Sequence, residues 1–156
     1  MENQIETVMN SKKIFILLIV ACQFLIGCNN IAAGSYPYAE VYDVDMPESE
    51  LIQKIKDFKK VNADYKVPGE VGLVDGRHKN KDYWYHIYFY YKDKDQIIKA
   101  WTRRPVANGK TSFAFVAINQ GLTLGNWKEI NDDFSREENN EQKERFEHRI
   151  LNRIIK

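Results

Sequence analysis

The spacing of apolar residues in the first half of the chain predicts a short strand followed by a helix. Residues 39–46 alternate weakly between apolar and polar positions, which is typical of a half-buried strand. After Pro47, which is favoured in the first turn of a helix, Leu51, Ile55 and Phe58 recur at i, i+4 and i+7. We therefore expect one amphipathic helix whose apolar stripe is buried.

A run of β-favouring residues in the middle of the chain predicts an antiparallel meander. Residues 83–91 are almost entirely aromatic or β-branched, and a polar turn separates them from a second run at 96–104. A third run at 111–119 follows Asn108-Gly109, a dipeptide that favours two-residue hairpin turns. These three runs are predicted to pair in sequence order.

The last part of the chain predicts a long helix. Residues 127–130 indicate a single helical turn in the preceding loop, and Ser135 with Glu138 three residues later forms a capping-box pattern. The first turns of the helix, at 136–145, are polar all round, so we expect them to lie on the surface. Its predicted buried stripe consists of Phe146, Ile150 and Ile154.

These elements predict a small α+β domain over residues 39–156. Its sheet is an antiparallel meander of three to four strands, with one helix before it and one longer helix after it. The chain has 156 residues and a formal net charge of +1, so it has room for one ordinary domain. Because this charge is nearly balanced, we predict no nucleic-acid partner.

A basic and apolar leader precedes the predicted domain. Lys12-Lys13 is followed by apolar residues 14–26, a run too short for a comfortable transmembrane helix. This order is typical of a secretory signal peptide, and Met9 is a more natural start than the acidic stretch before it. Cys22 would be removed with the leader, which would leave no thiol pair for an internal disulfide.

The end of the leader resembles a bacterial lipoprotein signal. Leu25-Ile26-Gly27-Cys28 is similar to the lipobox, in which aliphatic and small residues precede a cysteine. The resemblance implies cleavage after Gly27, a diacylglyceryl group on the Cys28 thiol and hence membrane attachment. The chain would then divide into a signal peptide (1–27), a lipidated cysteine with its tether (28–38) and the domain (39–156).

The alternative is an ordinary secretory signal with an incidental cysteine. Two asparagines follow Cys28, and the first acidic residue after it is Glu40. In lipoproteins, acidic residues at these positions can mark retention or surface export. We therefore predict a cell-envelope protein that is anchored in the outer membrane and faces the periplasm.

The aromatic hairpin offers the main candidate binding surface. If its turn has an even number of residues, one face carries Ile87 and Phe89 opposite Ala100 and Ile98, and this face is core. The other face combines amphipathic aromatic side chains with cations, as expected where a ligand stacks on a sheet. Its members are Trp84, His86, Tyr88, Tyr90, Lys99, Trp101 and Arg103. Val116 and Ile118 would extend this face onto the third strand, so ordinary cross-strand packing is the alternative.

The sequence offers no strong candidate for a catalytic or metal site. His78, His86 and His148 have no metal-ligand spacing, and Ser135 is explained as a helix cap rather than a nucleophile. We predict no metal and no cofactor. The acidic residues around Glu48 complement the helix dipole, and the basic loop at 76–81 could contact phosphate or lipid headgroups.

The leading functional hypothesis is a non-catalytic envelope lipoprotein that binds a protein or glycan partner. No catalytic residue is assigned, and enzymatic activity is the less favoured reading. Two alternatives stay open. One is a small periplasmic hydrolase that uses His86 or His78 with an acidic partner. The other is an inhibitor or immunity-type lipoprotein that blocks a toxin or an enzyme.

Overall fold

The computed structural model describes residues 35–79, 83–104 and 110–156. The leader with its lipobox, the end of the basic loop at Asn80 and Lys81, and the predicted turn at Asn108-Gly109 lie outside the described residues. The described elements belong to the compact unit Tyr38–Lys156. No helix within the described ranges is long and apolar enough to cross a membrane.

The fold is α+β, as the sequence predicts. The elements in chain order are β1 (Glu40–Val44), α1 (Glu48–Val61), short 3₁₀ turns at Ala63–Tyr65 and Gly69–Val71, β2 (Tyr85–Tyr91), β3 (Gln96–Arg103), β4 (Thr111–Gln120), β5 (Trp127–Glu129) and α2 (Arg136–Phe146). Helix α2 continues through a π-helical segment, Glu147–Leu151, into a last α-helical turn, Asn152–Ile154. We call α2 and these two segments together the C-terminal helix.

The sheet is antiparallel and is built around β4. Strands β2, β3 and β4 form the predicted meander, and two short strands share the other side of β4. Strand β1 pairs with Thr111–Phe115, and β5 pairs with Ala117–Asn119. The outer edge of β2 carries no further strand among the described residues, but isolated bridges join it to the preceding loop, from Lys66 to Phe89 and from Gly76 to His86.

The register of the central hairpin is confirmed. The pairs are Phe89 with Ile98, Ile87 with Ala100, Tyr90 with Ile97, Tyr88 with Lys99 and His86 with Trp101. The predicted pair of Trp84 with Arg103 lies outside this ladder, which ends at Tyr85 and Thr102.

A β-bulge in β4 changes the predicted assignment of faces. Lys99 pairs with Ala117 while Ala100 pairs with Phe115, which leaves Val116 as the extra residue. Because of the bulge, Ile118 lies opposite Ile98 on the core side of the sheet, not on the side that carries Tyr88 and Lys99. The placement of Ile118 on that face was wrong, since one inserted residue inverts the alternation beyond it.

One hydrophobic core lies between the sheet and the two helices. The predicted stripe of α1 (Leu51, Ile55, Phe58) and that of the C-terminal helix (Phe146, Ile150, Ile154) are both buried in it. The Phe146 ring stacks on the ring of Phe115, with centroids 4.6 Å apart. Both helices cover the same side of the sheet, so the core occupies one face of it.

The start of α2 is better anchored than its polar sequence predicts. The predicted capping box between Ser135 and Glu138 is present. Asn139 is nevertheless buried, and its side chain exchanges two hydrogen bonds with Asn131: the Asn131 backbone N–H donates to Asn139 Oδ1 at 2.8 Å, and Asn139 Nδ2 donates to Asn131 Oδ1 at 2.7 Å. The first turns therefore dock through an amide pair rather than through apolar contacts.

Candidate functional site

We call the side of the sheet opposite the core the second face. Strand pairing places Tyr88, Lys99, Ala117 and Glu129 in one row across it. The next row contains Tyr90, Ile97, Asn119 and Trp127. Large side chains on β2 and β3 thus adjoin small ones on β4, with a tryptophan beyond them on β5.

The predicted binding residues are divided by their burial. His86, Tyr88 and Trp101 keep only 3%, 6% and 4% of their surface exposed. The other four, Trp84, Tyr90, Lys99 and Arg103, are half-buried. Only the half-buried residues offer substantial surface to a partner in this structure.

Strand β5 contributes a residue that the sequence prediction missed. Trp127–Glu129 form strand β5, not the predicted helical turn at 127–130, because Trp127 and Glu129 pair with Asn119 and Ala117. The Lys99 ammonium lies over the Trp127 ring, 5.8 Å from its centroid. The sequence Trp-Lys-Glu has no alternation of apolar and polar residues, so the strand depends on its pairing with the edge of β4.

Buried Asn119 fixes the position of Trp127. Its amide donates to the carbonyls of Gly121 and Thr123 at 2.8 and 2.9 Å and accepts from the Asn126 backbone N–H at 2.9 Å. These three bonds hold the β4–β5 loop against the end of β4. The tryptophan that follows the loop is therefore set on a rigid support.

The charged groups of the second face are partly desolvated. Burial lowers the pKa of Lys99 from its ordinary value, and the nearby Glu129 carboxylate acts in the opposite direction. The Tyr90 hydroxyl donates to Asp95 Oδ1 at 2.8 Å, and this hydrogen bond raises the pKa of Tyr90. We call the group Tyr90, Lys99 and Trp127 the exposed strip of the second face.

The two histidines of the hydrolase alternative lie side by side. The His78 and His86 rings are 4.3 Å apart, because Gly76 and His86 exchange two backbone hydrogen bonds and bring the loop against β2. The nearby Asp75 carboxylate accepts from the Tyr88 backbone N–H and from Lys59 Nζ. Both of its oxygens are thus already engaged in holding the loop.

Glu48 forms a buried ion pair, in addition to its predicted interaction with the dipole of α1. Its Oε2 atom accepts from Arg77 Nη2 at 2.6 Å and from Arg104 Nε at 3.3 Å. These groups line an open cleft of about 750 Å³ at the start of α1. The sequence could not predict this cluster, since its three charged residues are far apart along the chain.

The described ranges contain no candidate metal site, because no three His, Cys, Asp or Glu side chains in them are close enough together to hold an ion.

Comparisons with protein-family models, with curated proteins and with solved structures found no match to this chain. We therefore infer the function from the geometry of the described residues.

Proposed function

We propose that this chain is a lipid-anchored protein of the bacterial cell envelope whose domain binds a protein or glycan partner without catalysis. The observation that carries the binding role is the exposed strip of the second face. There a lysine and two amphipathic aromatic residues are held on a rigid sheet and remain partly accessible. Such groups recur at binding surfaces because each combines apolar area with a polar or charged tip.

The anchoring role rests on the order of the leader. A basic segment, a short apolar run and the sequence Leu25-Ile26-Gly27-Cys28 resemble a lipoprotein signal. Cys28 would carry the lipid, and residues 28–38 would tether the domain near the membrane. One acyl chain binds a membrane only marginally, whereas two or more give stable attachment. The outer membrane, with the domain facing the periplasm, is the proposed location.

Burial divides the roles of the seven predicted binding residues. His86, Tyr88 and Trp101 lie on the same face but are buried, so they would stabilise it by packing. Trp84, Tyr90, Lys99 and Arg103 would contact the partner, together with Trp127. The partial desolvation of Lys99 would strengthen its contact with an acceptor, since charge interactions gain in a less polar environment.

Charge reversal on the strip tests the binding role. The protein is purified in detergent and used to capture partners from envelope extract, beside Lys99→Glu and the matched control Lys56→Glu on the exposed side of α1. We expect a partner that Lys56→Glu retains and Lys99→Glu loses. Equal retention by both variants would remove the strip from the binding site.

A periplasmic hydrolase is the second candidate function, favoured by the contact between His78 and His86. An adjacent imidazole pair could share proton-transfer work. The hydrolase candidate is weakened by the position of Asp75, whose carboxylate already binds Lys59 and the Tyr88 backbone N–H and so is not available to orient a histidine. Hydrolysis of a general ester substrate that disappears in His78→Ala would favour this alternative over pure binding.

A further inference from the structure

The open cleft at the start of α1 is separate from the exposed strip. It is lined by Asp45, Met46, Pro47, Glu48, Ser49, Ile52, Arg77 and Arg104. Its volume of about 750 Å³ is within the range of small-molecule sites. The lining combines apolar groups with two carboxylates and two guanidinium groups.

A buried carboxylate in this lining is only half satisfied. The Glu48 side chain is 5% exposed, and both arginines bond to the same atom, Oε2. Among the described residues, Glu48 Oε1 has no hydrogen-bond partner. A buried acceptor without a donor is unfavourable, so a ligand that supplies a donor to Oε1 gains from meeting this need.

Arg104 is the lining group best able to move and to bind. Its side chain is 81% exposed, and only its Nε atom contacts Glu48, at 3.3 Å. Within the described residues, the other two guanidinium nitrogens of Arg104 make no hydrogen bond, so they can donate to a ligand. Oε1 is shielded from water in this structure, so a ligand can reach it only if a side chain of the lining moves.

The charge balance selects the class of ligand. Asp45 and Glu48 are offset by Arg77 and Arg104, so the cleft is neutral overall. A cation or an anion would each meet two opposite and two like charges, so neither gains a net attraction that offsets the cost of removing it from water. A neutral hydroxyl avoids both costs, because it donates to one group and accepts from another.

We propose that this cleft binds a vicinal diol of a neutral saccharide. One hydroxyl donates to Glu48 Oε1, and its neighbour accepts from the guanidinium of Arg104. The C–H face of the sugar ring packs on Met46, Pro47 and Ile52. This site is independent of the strip on the second face, so either proposal can fail alone.

Saturation-transfer NMR tests the inference with methyl β-D-glucopyranoside as the probe. The protein is purified from cells in a detergent without a sugar headgroup, and Arg104→Ala is compared with Arg136→Ala, an exposed arginine on α2. We expect transfer to the glycoside with wild type and Arg136→Ala, and affinity at least about tenfold weaker with Arg104→Ala. No transfer with wild type, or equal transfer with Arg104→Ala, would overturn the proposal.

Two competitors and a second variant separate the ligand classes. Glycine tests a zwitterion and inorganic phosphate tests an anion, and neither is expected to displace the glycoside from wild type. Displacement by either at lower concentration than a second sugar would contradict the assignment. Glu48→Gln, which gives the cleft a net positive charge, is expected to weaken the binding of the glycoside and to allow phosphate to bind.

Discussion

Lys59 and Asp75 together bind both backbone groups of Tyr88 on the outer edge of β2. Asp75 Oδ1 accepts from the Tyr88 N–H at 2.9 Å, and Lys59 Nζ donates to the Tyr88 carbonyl at 2.7 Å. The two side chains join each other at 2.5 Å. An unpaired strand edge is a template for pairing with other chains. The ion pair satisfies this edge at Tyr88, next to the bridges that Gly76 makes to His86 and Lys66 makes to Phe89.

Removing the carboxylate should open this edge. Asp75→Ala leaves the buried ammonium of Lys59 without its counter-ion and the Tyr88 N–H without an acceptor. We expect a loss of roughly 2–4 kcal/mol in the free energy of unfolding, measured by denaturant titration. Asp57→Ala, on the exposed side of α1, is the control and should change it by less than about 0.5 kcal/mol.

Amide hydrogen exchange gives a local readout of the same contact. The Tyr88 amide should exchange faster in Asp75→Ala than the reduced global stability alone explains. The neighbouring Ile87 amide, which lies inside the β2–β3 hairpin, should follow global stability. Protection of Tyr88 that stays in step with Ile87 would show that the ion pair does not guard the edge.

Tyr91 links stability to alkaline pH. Burial raises the pKa of its phenol above the ordinary value of 10.0. The folded state therefore holds this proton more tightly than the unfolded state. Tyr91 contributes stability that is present below pH 10 and is lost as pH rises above it. Tyr91→Phe should flatten this alkaline loss, whereas Tyr83→Phe, an exposed position, should not.

The same substitution has a second expected effect at neutral pH. In the described part of the chain, the buried Tyr91 hydroxyl has no hydrogen-bond partner. Removing it should leave the free energy of unfolding at pH 7 unchanged or slightly higher. A loss above about 1 kcal/mol at pH 7 would mean that the hydroxyl is satisfied in solution.

The amide pair at the start of α2 predicts a difference between two adjacent asparagines. Asn139→Ala breaks both bonds to Asn131, whose backbone has a positive φ of 64° that asparagine tolerates. We expect a cost of about 1–3 kcal/mol by thermal or chemical unfolding. Asn140→Ala, one position further on the exposed side, should cost far less, and equal costs would contradict the role of the pair.

The second face should separate into support and contact positions. Trp101→Ala removes a buried indole, so we expect a loss of about 3–5 kcal/mol in stability. Trp127→Ala removes a half-buried ring at the end of the sheet and should cost less than half as much. Circular dichroism melts of both variants test this order. A Trp101→Ala variant as stable as wild type would mean that the Trp101 side chain is not packed against its neighbours on the second face.

Local patterns in the sequence predicted most of the fold. The stripe Leu51, Ile55 and Phe58 identified α1 because helix periodicity survives whatever the helix packs against. The register of β2 and β3 followed from one assumption about their four-residue turn, since alternation then fixes every pair. These features depend on residues close together along the chain.

The errors came from contacts between distant residues. A bulge at Val116 is set by how β4 fits β3, so the side on which Ile118 lies could not be deduced from alternation in β4 alone. The segment Trp127–Glu129 is too short to be recognised as a strand from its sequence, because it is a strand only through its pairing with β4. The ion pair of Glu48 with Arg104 likewise forms only when α1 and the end of β3 meet.

We propose that the domain is held at a membrane through Cys28. The most direct test is the intact mass, with N-terminal peptide mapping, of the protein purified from the membrane fraction of bacterial cells. We expect a chain that begins at Cys28 and carries a diacylglyceryl group on its thiol, and no membrane-bound chain from Cys28→Ala. A mature chain with an unmodified Cys28, or one cleaved at another residue, would show that Cys28 is not the site of membrane attachment.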